Sequence, residues 1–151
     1  FSSEVSMSSK NEITGMQQFL EEIFPQITGK IKILTINPAP VSVKLIVGHD
    51  DLRPGGTISG PSIFLLADVA FYVAVLSDVG KQALAVTTNG TINFLRKPAP
   101  RNLIAEAEIL KKGKNLIFGE VKVKSEYGRD LVAHATMTYS IPQNKKTGGD
   151  N

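Results

Sequence analysis

Between Ile63 and Leu76 the chain is almost unbroken in apolar side chains, and a single carboxylate, Asp68, interrupts it. The stretch is shorter than the about 20 residues needed to cross a bilayer. It therefore predicts a helix buried on most sides. A lone carboxylate in such a helix is costly unless it is paired or changes its protonation. Groups that carry this cost are often bases, acids or nucleophiles. The plain alternative is an inert, hydrogen-bonded Asp at a subunit interface.

The remaining pattern supplies what must cover that helix. Met16, Phe19, Leu20 and Ile23 recur at helical spacing, and Pro25 closes the segment. Lys30 to Ile36 and Val41 to Val47 read as strands separated by the Asn37–Pro40 break. After Gly80 come four strand-like stretches: Leu84–Leu95, Leu103–Leu110, Leu116–Ser125 and Leu131–Ser140. Short turns at Pro98–Asn102, Gly113 and Tyr127–Arg129 imply antiparallel neighbours. These elements predict an α+β fold, with one long antiparallel sheet wrapped around one central apolar helix. One domain spans 13–142, between a flexible N-terminal segment at 1–12 and a polar tail at 143–151.

Composition narrows the function classes. The net charge of +3 is small, and no basic block is interleaved with aromatics, so nucleic acid is not an expected partner. There is no cysteine and only two histidines, His49 and His134, so neither a metal nor any other cofactor is expected. The N-terminal residues lack an apolar signal core. With the cysteine-free composition, this sets the expectation of a cytoplasmic protein without a membrane partner.

Gly55 to Pro61 precede the buried helix. Pro61 suits the first helical position, and Ser59 or Gly60 suits the N-cap. Free backbone N–H groups at a helix start favour negative charge, including a developing oxyanion. Read alone, the segment is more simply a flexible turn with an ordinary cap. Along a helix, Gly60 and Asp68 lie roughly 12 Å apart. They cannot touch one carbonyl from the same chain. Two antiparallel copies of the helix would bring Gly60 of one chain opposite Asp68 of the other, which predicts a site shared across a subunit interface.

Four motifs occur in order: GTISGPSIFLLADVAFYVAV, AVTTNGTINFLRKPAP, LIAEAEILKKGKNLIFGEVKV and LVAHATMTYSIP. Together they resemble the hotdog-fold acyl-CoA thioesterases of the PaaI-like group over roughly residues 38–142. The resemblance implies that Asp68 acts as base or nucleophile on an acyl-CoA thioester. It implies that the Gly60 amide polarises the thioester carbonyl and that Thr87 helps hold the attacking water. The family's His-Gly-Gly is Ser59–Gly60–Pro61 here, so the imidazole and one amide donor are lost. Ser59 is then the candidate to replace part of the histidine's hydrogen bonding. Arg53 stands where some members place Asn or Gln, and it would contact the ligand or else pair with Asp50 or Asp51.

Coenzyme A carries phosphates, which makes Arg96, Lys97, Lys112 and Lys114 candidate contacts, although exposed lysines commonly serve solubility. His134 reads as structural, His49 borders the Arg53 loop, and Asp78 reads as solvated at the helix end. Phe64, Phe71 and Tyr72 read as core or as walls of an acyl pocket. The resemblance implies a homo-oligomer, a dimer or a dimer of dimers. Two other readings stay open: a non-hydrolytic acyl-CoA binding protein, and an acyl-thioester dehydratase.

Overall fold

The structure, a computed structural model, describes residues 2–80 and 84–142, with side chains from Lys10 onward. The expected polar tail at 143–151 lies outside the described residues. Helix α1 covers Ser2–Ile23, β1 Ile31–Thr35 and β2 Val41–Leu45. Helix α2 covers Gly60–Val79, followed by β3 Val86–Phe94, β4 Leu103–Lys112, β5 Leu116–Ser125 and β6 Leu131–Ser140. The helix expected from the 16–23 spacing thus reaches back to Ser2, through the segment set aside as an N-terminal extension.

The six strands form one sheet in the order β1-β2-β4-β5-β6-β3, with antiparallel pairing throughout. One expected neighbour relation fails. The turn around Pro98–Asn102 does not make β3 and β4 partners; β3 crosses to the far edge and pairs with β6, while β4 pairs with β2. Burial accounts for this. The β4 row Leu103, Ala105 and Ala107 faces the β2 row Leu45, Val43 and Val41, and all six are buried. The β3 sequence VTTNGTINF is rich in Thr and Asn and is exposed along nearly its whole length, as suits an edge. Strand β6 shows the expected alternation: Ala133, Ala135, Met137 and Tyr139 are buried, and the residues between His134 and Ser140 on the other face are half-buried.

Helix α2 lies in the concave face of the sheet. Its 20 residues exceed the apolar run that announces it and match a membrane span in length and composition. Ten of them are buried, with Leu66, Ala67, Phe71 and Val73 shielded by β2, β4, β5 and β6, which makes this a core helix. The approach is closest at Gly119 on β5. A Cβ there would sit 2.4 Å from a ring carbon of Phe71 and 2.2 Å from the Glu108 carbonyl oxygen.

The two sheet edges differ. The Gln17 side chain on α1 donates to the Ile31 carbonyl at 2.9 Å and accepts the Ile33 N–H at 2.8 Å, so it occupies the outer edge of β1. Nothing comparable covers β3 among the described residues.

Gly119→Ala should therefore destabilise the fold sharply. Overpacking of a core costs about 1–3 kcal/mol or more, and a chain of this size loses roughly 2–4 °C in Tm per kcal/mol. Thermal melts followed by circular dichroism test this; an unchanged Tm would mean that α2 can lift from the sheet without cost.

Candidate active site

Asp68 lies two turns into α2, on the face turned toward β6 and β3. Its carboxylate is half-buried and held at one oxygen. Thr87 Oγ1 donates to Oδ1 at 2.8 Å, and the Tyr139 hydroxyl approaches Oδ1 at 2.8 Å and the Asp68 carbonyl oxygen at 3.1 Å. Thr87 and Tyr139 are cross-strand partners, just before a bulge at Thr88 that bends β3. No described residue donates to Oδ2. The carboxylate's place in an apolar helix is thus offset by two hydroxyls on one oxygen.

Tyr139 escapes a reading based on catalytic residue types. Its signal is positional: it ends the inward row Ala133, Ala135 and Met137, and a phenol aimed into a core needs a partner for its hydroxyl. The ring meets Phe71 edge-on at 5.4 Å and stacks on Tyr72 at 5.9 Å. Burial pushes the Tyr139 phenol well above its ordinary range, and the negative charge of Asp68 adds to the shift. The hydroxyl therefore stays protonated and remains a donor.

At the start of α2, Ser59 is the N-cap, Gly60 the first helical residue and Pro61 the next. The Ser59 hydroxyl accepts the Ser62 N–H at 3.3 Å and lies 3.1 Å from the Ser62 hydroxyl. Ser59 is thus engaged by the helix itself, which accounts for this side chain without a ligand. The Gly60 N–H donates to no described residue, and the Phe94 ring packs against Gly60. Behind the cap lies Asp51, the one buried charged residue among those described. Its carboxylate accepts the Gly48 N–H at 2.8 Å, the Ser62 hydroxyl at 2.8 Å and the Lys30 ammonium at 2.5 Å. Burial raises the Asp51 carboxyl, but these three donors outweigh burial and hold it below its ordinary value.

A cleft of about 770 Å³ opens at the helix start, lined by Arg53, Gly60, Pro61, Phe94, Arg96 and Lys97 among others. Arg53 is carried on a tight loop closed by the Leu52–Ile58 bridge and the Arg53 N–H to Thr57 carbonyl bond of 2.8 Å. The candidate partner Asp51 belongs to Lys30, not to Arg53. Arg96 donates from Nε to the Leu131 carbonyl at 3.1 Å and pairs with Asp130 at 3.5 Å, both at the surface. Within one chain, Lys112 does not join this group. It pairs with Asp78 at 2.8 Å near the opposite end of α2, so Asp78 is ion-paired rather than simply solvated. Asp78 is roughly 27 Å along the helix from Gly60. Lys114 lies in the same β4–β5 turn region as Lys112. His134 bonds Glu120 at 2.9 Å on the outer sheet face, in keeping with a structural role. A second cleft of about 610 Å³ is lined by Asp78, Glu106, Glu108 and Glu120, and none of the candidate catalytic residues borders it.

A long antiparallel sheet closed around one central helix, with a held carboxylate on that helix and a free amide at its start, defines a hotdog-fold protein. Residues 55–138 match the thioesterase superfamily, and the chain belongs to that family of thioester hydrolases. It is similar to the crystal structure of a proposed thioesterase from Silicibacter sp., with 46% identity and a TM-score of 0.80 over 87% of this chain and 92% of that one. It is also similar to a mutant form of the phenylacetic acid degradation protein PaaI of Thermus thermophilus, with 27% identity and a TM-score of 0.68 over 78% of this chain and 99% of that one. The E. coli PaaI protein shares the fold at 22% identity and a TM-score of 0.72, over 87% of this chain and 96% of that one. No curated protein sequence matches the chain.

The Tyr139 geometry predicts an alkaline signature. The phenol titrates higher folded than unfolded, so its contribution is fully present below its unfolded value, about 10, and fades as pH rises through the folded value. As pH rises above about 10, the wild-type Tm should fall more steeply than that of Tyr139→Phe. Parallel slopes would show that the hydroxyl is not held as described.

Proposed function

We propose that this thioester hydrolase acts on acyl-CoA, with Asp68 as the reacting carboxylate. The observation that carries the reading is the asymmetry of that carboxylate. Oδ1 accepts from Thr87 and Tyr139, and no described residue donates to Oδ2. Oδ2 would take a proton from water as the water oxygen bonds to the thioester carbonyl carbon, or would bond to that carbon directly. In either case the carbonyl electron pair moves onto oxygen, and an N–H aimed at that oxygen stabilises it. Collapse expels the thiolate of coenzyme A, which takes up a proton. By direct attack, water then hydrolyses the acyl-aspartyl anhydride. Because Thr87 donates to Asp68, its role in this reading is to hold the carboxylate as much as the water.

The oxyanion donor would be the Gly60 amide of a second chain. An open β3 edge with Val86, Phe94 and Leu95 more than half exposed supports pairing with another copy. The side chains of Phe64, Leu65 and Tyr72, half-buried beside Asp68, would then meet the partner helix. In such a dimer Arg53, Arg96 and Lys97 around the Gly60 cleft suit the phosphates of coenzyme A. Lys112 and Lys114 from the other end of the partner's helix could approach the same rim. A dimer of dimers and a cytoplasmic location complete the reading. One observation favours a non-hydrolytic binding protein instead: Pro61 removes an amide that would sit next to Gly60.

Initial rates of thiol release over a panel of acyl-CoA thioesters separate these readings. Wild type should turn over at least one member, and Asp68→Asn should lose the 10²–10⁴-fold typical of a positioned acid or base while keeping its Tm. Tight binding without turnover in the wild type would establish the binding protein; full activity in Asp68→Asn would make Asp68 structural.

A further inference from the structure

We propose that Asp51, which no step of the reaction uses, is a positioning residue that fixes the Gly60 amide through Ser62. This inference rests on the reading of Gly60 as oxyanion donor.

Asp51 binds the first turn of α2 at two points. Its carbonyl oxygen accepts the Ser59 N–H at 2.7 Å, and its carboxylate Oδ1 accepts the Ser62 hydroxyl at 2.8 Å. Gly60 lies between these anchors. The second carboxylate oxygen faces away from the helix, toward the Gly48 N–H and Lys30. One buried side chain therefore joins the loop after β2, the ammonium on the turn before β1, and the helix start.

A loop anchor alone does not call for a charge with 1% exposure, since burying an ion costs several kcal/mol before its partners return any of it. An orientation requirement does call for strong, directional acceptors. Among the described residues, the same network leaves Gly60 as the uncommitted donor of the first turn. The Ser62 N–H is taken by the Ser59 hydroxyl, and Pro61 has none to offer. A single remaining donor tolerates little misalignment, because displacements of about 1 Å in a reacting group can cost 10²-fold in rate. Lys30 neutralises the carboxylate, so the anchor does not set a bare negative charge behind the developing oxyanion.

The branches of the network serve different ends, and this separates positioning from plain stability. Ser62→Ala cuts the link to the helix and should lower kcat about tenfold, the scale of one hydrogen bond to a charged group, with KM within about twofold. Ser62→Thr keeps the hydroxyl and should restore kcat. Lys30→Gln leaves the Gly48 and Ser62 bonds in place; it should lower Tm and cost less in kcat than Ser62→Ala does. An activity-independent readout is the Gly60 amide cross-peak in ¹H–¹⁵N NMR spectra. It should hold its position in Ser62→Thr and shift and broaden in Ser62→Ala. Wild-type kcat in Ser62→Ala would reduce Asp51 to a structural anchor, and so would an unmoved Gly60 cross-peak. A wild type without turnover on any acyl-CoA would remove the proposed function, and the proposal with it.

Discussion

The site rests on a half-buried carboxylate on an apolar helix, met there by the strand pair at one edge of the sheet. Beside Phe71 and Tyr72 the carboxylate loses part of its hydration, and donors offset that loss. Thr87 from β3 and Tyr139 from β6 supply them on one oxygen. This ties the outermost strand pair to the helix at a single atom. The pairing of β3 with β6 brings Thr87 and Tyr139 to the same carboxylate oxygen.

The helix was legible in the sequence because so few arrangements can bury a run such as Ile63–Leu76. The strand alternation in β2, β4 and β6 was legible for the same reason, since a period of two marks one buried face. The place of β3 was not. Its turn to β4 looks like a hairpin, and only the polarity of TTNGTIN hints that it belongs at an edge. Asp68 stood out as the lone carboxylate of an apolar run and Gly60 as a helix-start amide, while Thr87 came from a resemblance; the structure joins Asp68 to Thr87 and leaves Gly60 about two helical turns away. Tyr139 and Asp51 were not found as site residues. Each gains its meaning from partners far along the chain, Tyr139 from Asp68 and Asp51 from Lys30, and neither pairing leaves a local pattern. Ser59, the candidate for part of the family histidine's hydrogen bonding, caps α2 in the structure.

The two edges of the sheet carry a further consequence. The Gln17 amide occupies β1 as another strand would, so growth of the sheet there is blocked. No other described residue covers the β3 edge, and its apolar Val86 and Phe94 are exposed. That edge carries Thr87 and adjoins Asp68. The helix start supplies the complementary half: an uncommitted amide, an aromatic wall at Phe94 and a cationic rim. Eight residues of helix keep the two halves apart within one chain, and a second chain lying antiparallel would bring them together.

The claim that one site draws on two chains is tested most directly by subunit complementation. Asp68→Asn removes the carboxylate. Gly60→Pro removes the amide donor at a helix position that accepts proline, after a Ser59 whose extended backbone suits a following proline. Each protein alone should be inactive. After subunit exchange, half of the dimers are mixed and each mixed dimer keeps one intact site, so thiol release should recover to about one quarter of the wild-type rate. No recovery, with mixed dimers verified by native mass spectrometry, would contradict the shared site.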